Sequence, residues 1–386
     1  MKILYIKNNS TISSDIEMAF LHLKCSLIYH MAPSDDEKDN SFYLSSFLNM
    51  IKQETPSIVF SPEFIPFISL ACGVLGVPYV VWLTKGYHPD YYSPTIRNEW
   101  NCVFVADSEL YQDLRNLGVE NLFFLPLGAP VVDKEAEINL LEKEKYKADV
   151  SMVGTILARE DFKYNPLTIS SPLKDATKGY LEGCVACQHQ FHGMQSICSN
   201  LPHYIWDDLV SAYPVPLDST LLTAQKYYEY NFFNHLITYA DRDLHLNAYV
   251  EERYQKVHLY SKNDKYSSEK IKNMGWVDYH KTLPAIAEQS IINLMISHRN
   301  DRAMIPATAW MIMASKGFLL SNVQKDYDIL EVSPITYKDA KEMLSLSAYY
   351  YHHEDERKEI AEKIYLEAMK KHTYVHRIKE ILSVIC

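Results

Sequence analysis

The segment TKGYHPDYYS, residues 84–93, sets Lys85, His88 and Asp90 within six positions, directly after the apolar run PYVVWL. An imidazole with a pKa near ~6.5 accepts a proton close to neutrality, so a histidine and a carboxylate on a strand-end loop are the parts of a general base. His88 and Asp90 are the candidate catalytic residues; the alternative is a solvated loop with a His-Pro turn. A second group suits an anion. INLMISHRNDRAMIP, residues 292–306, places Asn293, Ser297, His298, Arg299 and Arg302 ahead of a segment that opens on Pro306 and carries no charge from Ile305 to Ser315. Read as a helix start, it offers backbone N–H groups near Thr308 to a phosphate, and two guanidinium groups would reinforce that field. The alternative is a pair of solvated loop arginines. DVSMVGTILARE adds Gly154 and Thr155 at the end of another run, with Arg159 nearby, where glycine permits close approach of a ligand to the backbone. Asp107, which closes CVFVAD just before Ser108, reads as a helix cap.

GCVACQHQFHGMQSIC, residues 183–198, gathers Cys184, Cys187, His189, His192 and Cys198. The residue types suit zinc, but the stretch reads as continuous helix, whereas a C-x-x-C pair needs a turn to close around a metal. The cysteines are expected on a buried helix face as free thiols, with no metal site.

These residues need elements to position them. Runs of four to seven apolar residues without alternation, each followed by a helical pattern, indicate parallel strands covered on both faces. KILYI, SLIYHM, SIVFS, PYVVWL, CVFVAD and LFFLPLG build one doubly wound domain. DVSMVG, KVHLYS, INLMIS, GFLLSN and PITY build a second, with a mostly helical insertion near 156–255. The expected fold is α/β, two Rossmann-like domains facing a cleft. The expected boundaries are 1–145, 146–370 and a C-terminal helix over 371–386, with a break in the helical tail near HTY. The 386 residues suit two cores. A formal net charge of −11 argues against nucleic acid or an anionic membrane as partner. Apolar runs fall short of the ~20 residues of a membrane span. Seven cysteines, an odd and scattered set, read as reduced thiols, and the expected location is cytoplasmic.

Several segments together resemble the spore-maturation CgeB-like glycosyltransferases: FSPEFIPFISLACGVLGVPYVVWL, YYSPTIRNEWNCVFVADSELYQDLRNLGVENLFFLPLGA, DVSMVGT, GYLEGCVACQ, INLMISHRNDRAMIP, GFLLSNVQKDY and the tail from Tyr349. The resemblance runs in order over nearly the whole chain. It implies a GT-B fold with an acceptor-side first domain, a donor-side second domain and a nucleotide-sugar held in the cleft as co-substrate without an essential metal or other cofactor. It also implies that the insertion belongs to the pattern and that the tail can return to the first domain. Gly154 and Thr155 match the glycine and small hydroxyl residue that open the donor domain, and Asn293 and Ser297 lie on the strand before the donor helix.

The departures fall on charged positions. Where relatives carry an arginine, an acidic residue and a glycine pair in and after the donor helix, this chain has Thr308, Met311, Lys316 and Gly317; Lys85 stands where relatives tend to have aspartate. Methionine cannot accept hydrogen bonds from donor hydroxyls as a carboxylate does. Two expectations result. One is an active hexosyltransferase-type enzyme with a rebuilt donor site, in which Arg302 or Lys316 replaces the missing arginine and the acceptor is a protein, glycan or small molecule. The other is an inactive glycosyltransferase-like module that supports a partner glycosyltransferase.

Overall fold

The computed structural model describes residues 1–33, 41–132, 143–156, 167–168, 170–188, 200–215, 220–250, 254, 256–263, 266 and 270–385. In the first domain β1 (Lys2–Lys7), β2 (Ser26–Met31), β3 (Ile58–Pro62), β4 (Tyr79–Leu83), β5 (Asn101–Val105) and β6 (Leu122–Phe124) alternate with α1 (Ser13–His22), α2 (Ser41–Glu54), α3 (Pro66–Leu75) and α4 (Ser108–Asn116). All pairings are parallel, in the order β2-β1-β3-β4-β5-β6. β3 and β4 are buried at every position, which is why they read as unbroken apolar runs.

The second sheet contains β7 (Ala148–Val153), β8 (Val257–Tyr260), β9 (Ile271–Asn273), β10 (Ser290–Met295), β11 (Leu319–Asn322) and β12 (Ile335–Tyr337), in the order β12-β11-β10-β7-β8-β9. β9 is a strand that the apolar runs did not announce. The helices are α5 (Asp175–Gln188), α6 (His203–Ala212), α7 (Ala224–Tyr228), α8 (Asn234–Ala248), α9 (Leu283–Gln289), α10 (Ala307–Ala314), α11 (Ala340–His352), α12 (Glu354–Lys371) and α13 (Tyr374–Ile385). α5 to α8 lie between β7 and β8, within the insertion. A π-helical turn, Glu229–Phe233, joins α7 to α8.

The helical tail breaks at His372 and Thr373, and α13 then packs against α1. Thr373 bridges to Ala129, and Arg377 donates to the Leu127 carbonyl at 3.1 Å. Gly128 has no room for a side chain there, since a Cβ would stand 2.8 Å from the Tyr374 nitrogen. The chain therefore finishes on the domain where it began. One apolar cluster runs from Tyr5, Phe60 and Trp82 of the first sheet through Ile378 and Ile381 of α13 to Trp310 and Met313 of α10. That enclosure explains why α10 carries no charge.

Each sheet has a switch point, where the strand order reverses and a crevice opens beyond the carboxyl ends of two neighbouring strands. In the first domain it lies between β1 and β3, in the second between β7 and β10.

Candidate functional site across the two domains

At the first switch point a pocket of about 160 Å³ is lined by Asn8 after β1, Ser61 to Ile65 at the end of β3, and Lys85, His88 and Asp90 after β4. Asn8 ties the two strand ends together, donating to the Pro62 carbonyl at 2.6 Å. The structure thus brings His88 and Asp90 to one wall, with His88 Nδ1 3.5 Å from Asp90 Oδ2. His88 Nδ1 also accepts from the Asp90 backbone N–H at 3.3 Å. That bond fixes Nδ1 as acceptor, so the neutral ring carries its proton on Nε2.

Glu63 shares the pocket, a residue that no motif of the sequence marks. Its φ is +95°, a backbone region that costs a non-glycine residue about 1–3 kcal/mol. Oε1 accepts from the Thr84 hydroxyl, while Oε2 is enclosed and has no hydrogen-bond partner among the described residues. Burial pushes the carboxyl above its ordinary pKa, against the opposing pull of the Lys85 ammonium and the Thr84 hydrogen bonds. A signal was present in the sequence: Glu63 is the sole charge between Glu54 and Lys85.

The second switch point is filled from within. Arg242 of α8 donates through Nε and Nη2 to the Ile296 carbonyl, at 3.1 and 2.9 Å, and through Nη1 to the Thr155 carbonyl. Burial lowers the pKa of this guanidinium to about 10. Gly154 and Thr155 therefore border a crevice closed by Arg242 rather than an open phosphate loop. Ser297 lies on the same rim, its Oγ buried and without a partner among the described residues. Asn293 is fully engaged inside the sheet: it accepts from Ser151 Oγ and donates to the carbonyls of Ala287 and Phe318. Arg159 lies outside the described residues.

Residues 298–304 form the seam between the domains. Arg299 pairs with Asp241 of α8 at 2.6 Å. Arg302 pairs with Asp113 of α4 at 2.9 Å, and Asp113 also holds Lys226 at 2.7 Å and the Tyr230 hydroxyl at 3.2 Å. Asp107 caps α4 through Oδ1, as its position predicts, and through Oδ2 accepts the N–H groups of Ala303 and Met304 from the other domain. Gly86 sits so close to this seam that a Cβ would fall 2.0 Å from the Asn300 carbonyl oxygen, and its N–H donates to Asp301. Both arginines thus have carboxylate partners in the fold. Thr308, in the first turn of α10, is half-buried, whereas Met311 is 1% exposed and belongs to the interior. Lys316 pairs with Glu362 of α12, on the surface away from the helix start.

A larger cavity, about 510 Å³, opens at the ends of β8 and β9 and is lined by Ser261, Lys262, Asn273, Gly275 and Trp276. Trp276 is 62% exposed with the Lys262 ammonium 5.4 Å from its ring. Its loop is anchored to α10 by Tyr279, whose hydroxyl donates to the Ala307 carbonyl at 2.8 Å. The same loop reaches the first domain through His280, 3.0 Å from Asp15 of α1. That contact raises the His280 pKa.

Cys184 and Cys187 lie on α5 with free thiols. Cys187 is exposed, so the expected burial of the cysteine face is corrected: Leu181 and Val185 supply the inward face. His189, His192 and Cys198 fall outside the described residues. Among the described residues no group of three His, Cys, Asp or Glu could hold a metal ion, and no helix is long and apolar enough to cross a membrane.

Comparison with known proteins adds to this geometry. Residues 241–383 match the family model described as glycosyl transferase-like. No curated protein matches the chain. Among solved structures, a glycosyltransferase from Rickettsia africae ESF-5 aligns over 100% of this chain and 97% of its own with a TM-score of 0.57 at 11% identity. Anabaena Alr3699/HepE, in complex with UDP and glucose, aligns over 100% and 99% with a TM-score of 0.51 at 10% identity. At such identities the likeness is one of fold. The architecture is that of the GT-B glycosyltransferases.

Proposed function

We propose that this chain is a metal-independent glycosyltransferase of the hexosyltransferase type, moving a sugar from a nucleoside diphosphate sugar to a hydroxyl of a protein, glycan or small molecule. The observation that carries the reading is the Trp276 cavity, joined by Tyr279 to the start of α10. An exposed indole gives a nucleotide base a flat surface to stack on, and the helix start offers N–H groups near Ala307 and Thr308 to the diphosphate. Arg302 can turn to that diphosphate without stranding Asp113, which keeps Lys226 and Tyr230. Ser297, whose hydroxyl has no partner among the described residues, is the rim residue for a sugar hydroxyl; Gly154, Thr155, Asn293 and Arg299 hold the rim in shape. His88 and Asp90 face the acceptor in the first-domain pocket. The bound UDP and glucose of Anabaena HepE support this choice of donor class.

The inactive-module reading has its own support, since Arg242 fills the second crevice and Arg299 and Arg302 already hold carboxylates. A thermal-shift series with UDP, TDP, GDP and their sugars separates the two. A donor at 100 times its dissociation constant adds about 2.7 kcal/mol, visible as a rise in melting temperature. No rise with any of them sinks the enzymatic reading.

A further inference from the structure

Glu63 combines three features that no other residue of the first-domain pocket shares. Its backbone is held in the left-handed region from several sides: the Glu63 N–H donates to the Trp82 carbonyl at 3.0 Å, and its carbonyl accepts from Ser61 Oγ at 2.6 Å. Ser61 Oγ is in turn fixed 2.6 Å from the Tyr79 hydroxyl, which also accepts the Ile65 N–H. A strained non-glycine residue persists only where its surroundings over-determine it, and such residues cluster at active sites. Its carboxylate has one oxygen bonded to Thr84 and the other without a donor among the described residues. It also stands at the switch point of its sheet, beside an exposed Lys85. His88, by contrast, has its Nδ1 lone pair occupied by the Asp90 N–H and offers the pocket a donor.

We propose that Glu63 is the proton acceptor of the transfer reaction, taking the proton of an acceptor hydroxyl bound beside His88 and Asp90. The proposal rests on the glycosyltransferase reading. In the step, the bond between the sugar's anomeric carbon and the diphosphate oxygen breaks and its electron pair leaves with the nucleoside diphosphate. The acceptor oxygen bonds to the anomeric carbon, and its proton passes to the carboxylate of Glu63, which lines the pocket. Asp90 orients the hydroxyl and His88 Nε2–H donates to it. Burial makes a carboxylate a stronger base than one in water, so the enclosure of Glu63 serves the step.

The test measures nucleoside diphosphate release from UDP-glucose, TDP-glucose and GDP-mannose, with water as acceptor. Glu63→Gln keeps the side-chain length and the Thr84 bond, so a loss of about 10²- to 10⁴-fold in kcat, with KM and melting temperature nearly unchanged, is expected. Glu63→Asp should recover part of the rate. Full activity in Glu63→Gln overturns the proposal while leaving the glycosyltransferase reading intact. A loss of rate accompanied by a lowered melting temperature assigns Glu63 to structure and also overturns it. No release by the wild-type protein from any donor overturns the glycosyltransferase reading itself, and this proposal with it. If Glu63→Gln does not fold, the wild-type pH profile decides. Lys85, His88 and Asp90 are the other titratable groups lining the pocket. A kcat rising through one ionisation above the ordinary carboxylate range, and keeping that limb in His88→Gln, supports the proposal; a flat profile overturns it.

Discussion

The two switch points of this molecule have the same topology and opposite fillings. In the first domain the crevice between β1 and β3 stays open and holds a carboxylate one of whose oxygens has no partner among the described residues. In the second, the crevice between β7 and β10 is closed by Arg242, whose hydrogen bonds all end on backbone carbonyls. One crevice keeps an uncompensated group that a ligand can complete; the other is completed by the insertion that crosses it. With Arg242 in its crevice, the second domain has room for a ligand to the side of its switch point. The Trp276 cavity at the ends of β8 and β9 leaves room for one.

The largest effect that would break this contrast comes from Arg242→Leu. It leaves the buried Ile296 carbonyl and the Thr155 carbonyl without their donor, and a loss of about 3–5 kcal/mol is expected from urea unfolding. A loss below about 1 kcal/mol would mean that water refills the crevice and that it is open in function. Next is Met311→Glu. The family resemblance implies an acid there that grips the donor, but Met311 is enclosed, so the carboxylate would be buried unpaired. Thermal unfolding should report a loss of about 3 kcal/mol rather than tighter nucleotide binding.

Much of the fold could be read from the chain because its strands are buried on both faces. β3, β4, β8 and β11 are enclosed throughout, so each stands out as an apolar run. β9 did not, being three residues long with Lys272 exposed in its middle. The site was legible only in part. His88 and Asp90 are neighbours in sequence and share a wall in space. Arg299 and Arg302 were visible as an anion signal, but the carboxylates that hold them lie 58 and 189 positions away. Spacing cannot show such partners. Asp107 caps its helix as its position predicts, yet its second oxygen binds a loop 196 residues further on. Glu63 was visible as an isolated charge, but its meaning depends on a φ and an empty oxygen that exist only after folding.

Two smaller effects sharpen the division between domains. Arg302→Ala should weaken nucleoside diphosphate binding by about 10- to 150-fold in calorimetry, from about 1.5–3 kcal/mol for one charge-assisted contact. Unchanged affinity would leave Arg302 solely a seam residue on Asp113. Asp301→Asn probes the seam by pH. Burial raises the Asp301 carboxyl to about 6, above the value near ~3.9 of an unfolded chain. The folded state therefore holds this proton more tightly, and the associated stability is present below pH ~4 and lost as pH rises through 6. Unfolding free energies from urea titrations should fall less between pH 4 and 8 in Asp301→Asn, by on the order of 1 kcal/mol.

The central claim is that the donor is held by the second domain beside its filled switch point, while the first-domain pocket serves the acceptor. Calorimetric titration of UDP into wild type, Trp276→Ala and Asp90→Asn tests it most directly. Binding to wild type is expected, with a loss of about 5- to 150-fold in Trp276→Ala, as stacking of about 1–3 kcal/mol per base implies, and no change in Asp90→Asn. UDP binding that survives Trp276→Ala but is lost in Asp90→Asn would contradict it.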